Sequence, residues 1–246
     1  TSLDKNEYNG GLFWHTDHYL QAFTSSHRSY SKHQASNVYQ DHAGGGGPGG
    51  QHCYTTGLYL HYCLTGNQSS KDAVLTLCNW ITQVYEGSNT CLELLLAFKN
   101  RHVAGYKNHF TGQYPLDRGI ANYVNALLDS FELTQQPDYL TQVQNILANT
   151  IHPNEDLTQR GLEDIEGTWF YTVLLQALCR YLHVKESRQE FDQHFYYFRY
   201  CLLNFADWML INEYPYLEKP DILEYPNDTW TAQDLLKAHV LAATHY

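Results

Sequence analysis

From about Thr55 onward, apolar residues recur at helical spacing, and the stretches that carry them come in pairs joined by short polar turns. The first pair spans Thr55–Leu64 and Ser70–Tyr85 around Thr65-Gly66-Asn67-Gln68, with Val74, Leu77, Cys78 and Ile81 on one face of its second member. The second spans Gly119–Leu133 and Asp138–Thr150 around Thr134-Gln135-Gln136-Pro137, with Leu140, Val143, Ile146 and Leu147 aligned. The third spans Thr168–Leu182 and a return helix ending at Asn212. Its turn is expected near Lys185-Glu186-Ser187, with Phe191, Phe195, Phe198, Leu202 and Phe205 directed inward. A short helix, Cys91–Lys99, is expected between the first two pairs, and a further unit opens at Thr229-Trp230. One hairpin cannot cover its own apolar face. Units repeating at about 50–70-residue spacing must therefore stack or close into a ring.

The chemistry differs between the two ends of each hairpin. The turns inside the pairs are ordinary polar turns. The segments that lead into each first helix mix rings with charged or imidazole groups: Gly50-Gln51-His52-Cys53-Tyr54, Tyr114-Pro115-Leu116-Asp117-Arg118, Asp164-Ile165-Glu166-Gly167-Thr168-Trp169 and Tyr225-Pro226-Asn227-Asp228-Thr229-Trp230. Hairpins packed side by side would place all these lead-ins on one face. The densest cluster precedes the first helix, from Trp14 to Tyr54, where a run of glycines at 44–50 lets the backbone turn sharply. Half of the chain's 14 His residues fall between His15 and His61. The glycine run lacks the Gly-Lys-Ser/Thr ending of a phosphate loop.

The formal net charge of -11 argues against nucleic acid and anionic lipid as partners, since both require Lys/Arg neutralisation. No apolar run approaches the roughly 20 residues of a membrane helix, so no membrane insertion is expected. The 21 Tyr residues, flat rings with a polar tip, suit wet binding clefts. The six Cys show no CxxC pairing and read as buried thiols. The start at Thr1-Ser2 without Met, and the end at Tyr246 inside a helix, suggest a piece of a longer chain whose remaining domains are partners of this one.

The runs Trp14-His15-Thr16-Asp17-His18-Tyr19, His27-Arg28-Ser29-Tyr30 and Gln51-His52-Cys53-Tyr54-Thr55-Thr56-Gly57-Leu58 resemble bacterial proteins of the six-hairpin glycosidase-like class, as do Asp164–Trp169 and Thr229–Leu235. The likeness extends over nearly the whole chain. It implies an all-α fold: residues 55–246 would form helical hairpins of an (α/α)6-type toroid, incomplete here, with 1–54 as a loop-rich lead-in of the same domain. Such proteins are similar to rhamnogalacturonan-lyase-like and glycoside-hydrolase-like enzymes, and the expected setting is secreted or periplasmic. Where those proteins carry His-Asn-Tyr, this chain has His52-Cys53-Tyr54, so a role needing an amide at position 53 is not carried over.

These features lead to a polysaccharide- or oligosaccharide-processing domain, with a lyase ahead of a hydrolase. A lyase removes the proton beside a uronate carboxylate and expels the glycosidic oxygen, so it needs a base, a carboxylate clamp and an acid. His52 and Tyr54, two positions apart, are candidates for base and acid, with Tyr30 an alternate. Arg28 is the natural clamp because its planar fork matches two oxygens. A hydrolase needs two carboxylates, about 5.5 Å apart for retention and further for inversion; Asp17, Asp164 and Glu166 are the candidates, and Asp41 and Asp228 are also at hand. As ordinary packing or capping residues, all of these would have no catalytic part. Trp14, Trp169 and Trp230 could stack on sugar faces, with His27 and Arg118 as polar contacts, whereas Trp80 and Trp208 sit inside return helices and read as core. No cofactor is required, although His15, Asp17 and His18 could hold a divalent metal ion, joined by His33 or His42; their spacing matches no standard zinc signature. The competing class is a non-catalytic glycan-binding or scaffolding toroid.

Overall fold

The computed structural model describes residues 50–87, 90–99, 105–223 and 226–245, and among these the chain is helical with no strand. A 3-10 turn, Gly50–His52, precedes α1 (Thr56–Thr65) and α2 (Gln68–Glu86). Then come α3 (Cys91–Lys99), α4 (Arg118–Thr134) and α5 (Pro137–Ala148), followed by the single turn α6 (Ile165–Thr168), α7 (Tyr171–Ser187), α8 (Gln193–Asn212) and α9 (Thr229–His245).

Local signals account for the helix ends. Asn67 caps α2 by accepting from Ser70 N, Asp117 caps α4 by accepting from Ile120 N, and Asp192 caps α8 by accepting from Phe195 N. Gly66 ends α1 in the left-handed region at φ 69°, and Gln135 ends α4 the same way at φ 58°. Pro137 opens α5 at a first-turn position, where its missing N–H costs nothing.

The centre of the molecule is α4, which lies against α1, α2, α5 and α7. Its apolar side is fully enclosed: Ile120, Tyr123, Val124, Leu127 and Leu128 are all buried. Val74, Leu77 and Ile81 of α2, Val143, Ile146 and Leu147 of α5, and Leu174, Leu175 and Leu178 of α7 complete the core around it. Burial of each such side chain stabilises by roughly 1.5–3 kcal/mol, so this packing supplies the bulk of the driving force. At the closed ends of the hairpins the α4–α5 and α7–α8 turns meet. Arg188 Nη1 donates to Gln135 Oε1 at 3.1 Å, and the Arg188 guanidinium lies over the Phe131 ring. The helices α4 and α7 therefore run in the same sense, which places their N-termini together at the opposite end.

Three sequence expectations need correction. Lys185-Glu186-Ser187 is helix, not turn: α7 continues to Ser187, and the reversal occupies 188–192, with Gln189 at φ 58°. The extension is held by Lys185, a buried ammonium that donates to Glu190 Oε2 at 2.8 Å and Asp192 Oδ2 at 2.6 Å across the turn. Phe191 accordingly falls before α8 and is 49% exposed, whereas Phe195, Phe198, Leu202 and Phe205 point inward as expected. Cys63 and Cys91 are exposed; only Cys53, Cys78, Cys179 and Cys201 are buried. Trp80 is partly buried against the core and Trp208 is buried within it.

Candidate functional site

The lead-in segments converge, and the contacts run from one to the next. Gln51 Oε1 accepts from Arg118 Nη2 at 3.4 Å. The Arg118 guanidinium in turn lies over the Trp169 ring, 5.8 Å from its centroid. Trp169 meets Trp230 edge to face at 6.4 Å, and Trp230 meets Tyr216 at 5.3 Å. The first turns of α4 and α9, the α6 turn that leads into α7 and the 3-10 turn before α1 thus share one continuous polar and aromatic face.

Each position on this face is built from beneath. The 3-10 turn is pinned to α4 by the buried amide of Asn122, whose Nδ2 donates to Gly50 O at 3.2 Å and Gln51 O at 2.9 Å. Close approach there depends on missing side chains. A Cβ on Gly50 would stand 2.7 Å from the Tyr85 hydroxyl, and one on Gly119 would overlap the same oxygen. Tyr85 cannot step aside, because it is buried and stacked on Tyr123 at 5.5 Å. One turn further on, Thr55 Oγ1 and Thr56 Oγ1 donate to Asp129 Oδ2 at 2.6 and 3.1 Å, which fixes the start of α1. The other oxygen of Asp129 lies 2.7 Å from Arg180 Nη2, an ion pair by distance, while Arg180 Nη2 directs its hydrogen bond to Glu132 Oε2 at 2.6 Å.

Burial raises the Asp129 carboxyl above the usual range, and Arg180, Thr55 and Thr56 pull it back. Burial also works against the charge of Arg180, but Asp129 and Glu132 outweigh it, so the guanidinium stays ionised. Asp117 is buried beside Arg118, and burial pushes its carboxyl upward against the opposing backbone N–H groups of Ile120 and Gly119.

At the other end of the face, α9 is anchored by Lys237. Its buried ammonium donates to Glu213 Oε2 at 3.0 Å and Tyr214 O at 2.6 Å, pairs with Asp234 Oδ1 at 2.7 Å, and sits over the Tyr216 ring. Glu213 also accepts from Tyr171 Oη at 2.5 Å. These bonds hold α9 against the loop after α8, and between the start of α9 and the α6 turn opens a recess of about 350 Å³ lined by Glu166, Trp169, Asn227, Thr229, Trp230 and Gln233.

The structure places the sequence candidates as follows. His52 and Tyr54 form a pair, with Nδ1 and Oη 3.0 Å apart, and Tyr54 is 50% exposed. Arg118 is the hub of the face, and its Nε is buried with no hydrogen-bond partner among the described residues. Trp169 is half-buried and lines the recess. Trp230, 8% exposed, packs with Ile165, Tyr216 and Leu223 and offers only part of its surface to the recess, so Trp169 is the more open ring. Glu166 lines the recess; Asp164 is exposed on the same turn, beside Gly167. Trp14, His15, Asp17, His18, His27, Arg28 and Tyr30 lie outside the described residues. Among the described residues no three His, Cys, Asp or Glu side chains group to hold a metal ion, and no helix is long and apolar enough to cross a membrane.

Sequence reasoning missed Asn122, Asp129, Arg180 and Lys237. Asn122 and Asp129 are seven residues apart, hence on one face of α4 and beside its apolar stripe, and that spacing was the available signal. Comparison of the chain with known protein families, with curated proteins and with solved structures gives no match.

Proposed function

We propose that this face binds a glycan, and that the chain is the glycan-engaging part of an (α/α)-toroid polysaccharide-processing protein. The observation that carries this reading is the Trp169 ring. It is open to a recess rimmed by the carboxylate, amide and hydroxyl groups of Glu166, Asn227, Thr229 and Gln233, with Arg118 stacked against it. Pyranose C–H faces pack on aromatic rings while their hydroxyls need several short polar partners, and this recess supplies both.

A second reading, β-elimination on a uronate-containing glycan, is favoured by the His52–Tyr54 pair. An imidazole and a phenol within hydrogen-bond distance, next in the chain to the Gln51 that meets Arg118, can share the transfer of one proton. The hydrolase reading has less support, because Asp164 and Glu166 occupy the same turn and do not face each other across a cleft.

The test is binding of the protein to a panel of neutral and uronate polysaccharides by affinity electrophoresis, with ultraviolet absorbance followed for unsaturated uronate ends. Trp169→Ala is expected to weaken binding about 30-fold, the loss of about 2 kcal/mol typical of a buried aromatic anchor. Absorbance that rises with the native protein and vanishes in His52→Ala and Tyr54→Phe would establish the lyase. Binding that is indifferent to Trp169→Ala, or absent for every glycan, would overturn the reading.

A further inference from the structure

A second cleft, of about 630 Å³, opens between α7, α8 and α9, and its walls are cationic. Gln176, Arg180 and His183 face it from α7, Arg199 from α8 and His239 from α9. Its floor is apolar, made by Leu182, Phe195 and Leu202. Arg180 lies nine residues beyond the start of α7, about 14 Å along the axis, so the cleft is separate from the Trp169 recess. Among the described residues the only carboxylate in its lining is Glu186.

The charges are not equivalent. Arg180 is held by Asp129 and Glu132, whereas Arg199 makes no hydrogen bond or ion pair among the described residues. In a chain of net charge -11, an uncommitted guanidinium beside two imidazoles and an apolar floor is a local exception. A planar guanidinium matches a carboxylate with two parallel N–H bonds, and one uncommitted cation balances one negative charge. The volume is that of a pocket for a small organic molecule. We propose that this cleft binds an organic monocarboxylate, its carboxylate on Arg199 between His183 and His239, and its apolar body on Phe195 and Leu202.

The probe is 2-naphthoate, titrated by calorimetry into the full chain, with 2-naphthamide and inorganic phosphate as comparisons. Saturable one-to-one binding is expected, weakened about tenfold or more in Arg199→Gln and for the neutral amide, as loss of a charge-assisted pair requires. Trp169→Ala should leave it unchanged. Circular dichroism and the urea midpoint show whether Arg199→Gln keeps its fold; if it does not, His239→Gln replaces it, with a weakening of the same sense expected. The proposal is overturned by absence of saturable naphthoate binding, by equal binding of the amide or of phosphate, by a folded Arg199→Gln that binds like the native chain, or by loss of binding in Trp169→Ala.

Discussion

Replacing Arg180 with Met tests whether the Asp129 network is a charge device or mere packing. The Asp129 side chain is fully enclosed and the Arg180 side chain is 21% exposed, with 2.7 Å between Oδ1 and Nη2. At that distance and an effective dielectric near 20, the gross attraction is about 6 kcal/mol. Met restores most of the apolar volume and removes the desolvation of the guanidinium, so the net loss is smaller. Stranding a buried charge in this way costs about 3–5 kcal/mol. The Glu132 partner adds little, because that side chain is 31% exposed and pairs near the surface.

The loss should depend on pH. Burial already raises the Asp129 carboxyl, and Arg180 is the strongest group pulling it back, so the variant raises it further. A carboxyl whose folded pKa exceeds its unfolded value keeps its proton in the fold where the unfolded chain has lost it. Stability therefore falls as pH rises from the ordinary carboxylate range up to the raised folded value. Urea unfolding followed by circular dichroism should thus show the variant penalised most at neutral pH and less in mild acid. Adding Asp129→Asn, which still accepts from Thr55 and Thr56, should recover about 2 kcal/mol or more. A penalty equal at both pH values, or a double variant no more stable than the single one, would refute the charge account.

Three other outcomes follow from the packing. Gly119→Ala should destabilise by about 1–3 kcal/mol in urea, because the new Cβ overlaps a Tyr85 hydroxyl that its stack on Tyr123 prevents from moving. Thiol labelling of the native chain should modify Cys63 and Cys91 rapidly and the other four slowly, since burial pushes the Cys53, Cys179 and Cys201 thiols up to about 12 and the Cys78 thiol up to about 11. Equal rates for all six would contradict the burial. Lys237→Met should leave Glu213 and Asp234 without their cation and cost about 3 kcal/mol, with altered Trp230 fluorescence as the local report; an unchanged urea midpoint would contradict it.

The helices were legible because they rest on local signals: the apolar spacing of α2 and α5, the Gly66 stop and the polar turn at 134–137 are all features of short windows. The misplaced α7–α8 turn shows the limit of that kind of evidence. Lys185-Glu186-Ser187 reads as a polar break, yet Lys185 is retained in the helix by two carboxylates that arrive only once α8 has folded back. Phe191 was misassigned for the same reason, since its place depends on where the reversal falls.

For the site, the shared face was legible as chemistry repeated at each first-helix entrance, and the contacts Gln51–Arg118–Trp169–Trp230 realise it. What positions that face was not, because the pins are single polar residues in long helices whose partners lie far along the chain: Asn122 to Gly50, Asp129 to Thr55, Arg180 to Thr56. A polar residue beside an apolar stripe has the same local pattern whether it is solvated or holds a distant loop. Burial decides between these, and burial is a property of the assembled hairpins. Asp129 illustrates the consequence. A carboxylate that would be costly alone in a core becomes the fixed point for α1, and so for His52 and Tyr54 just before it, only when α1 and α7 both arrive against α4.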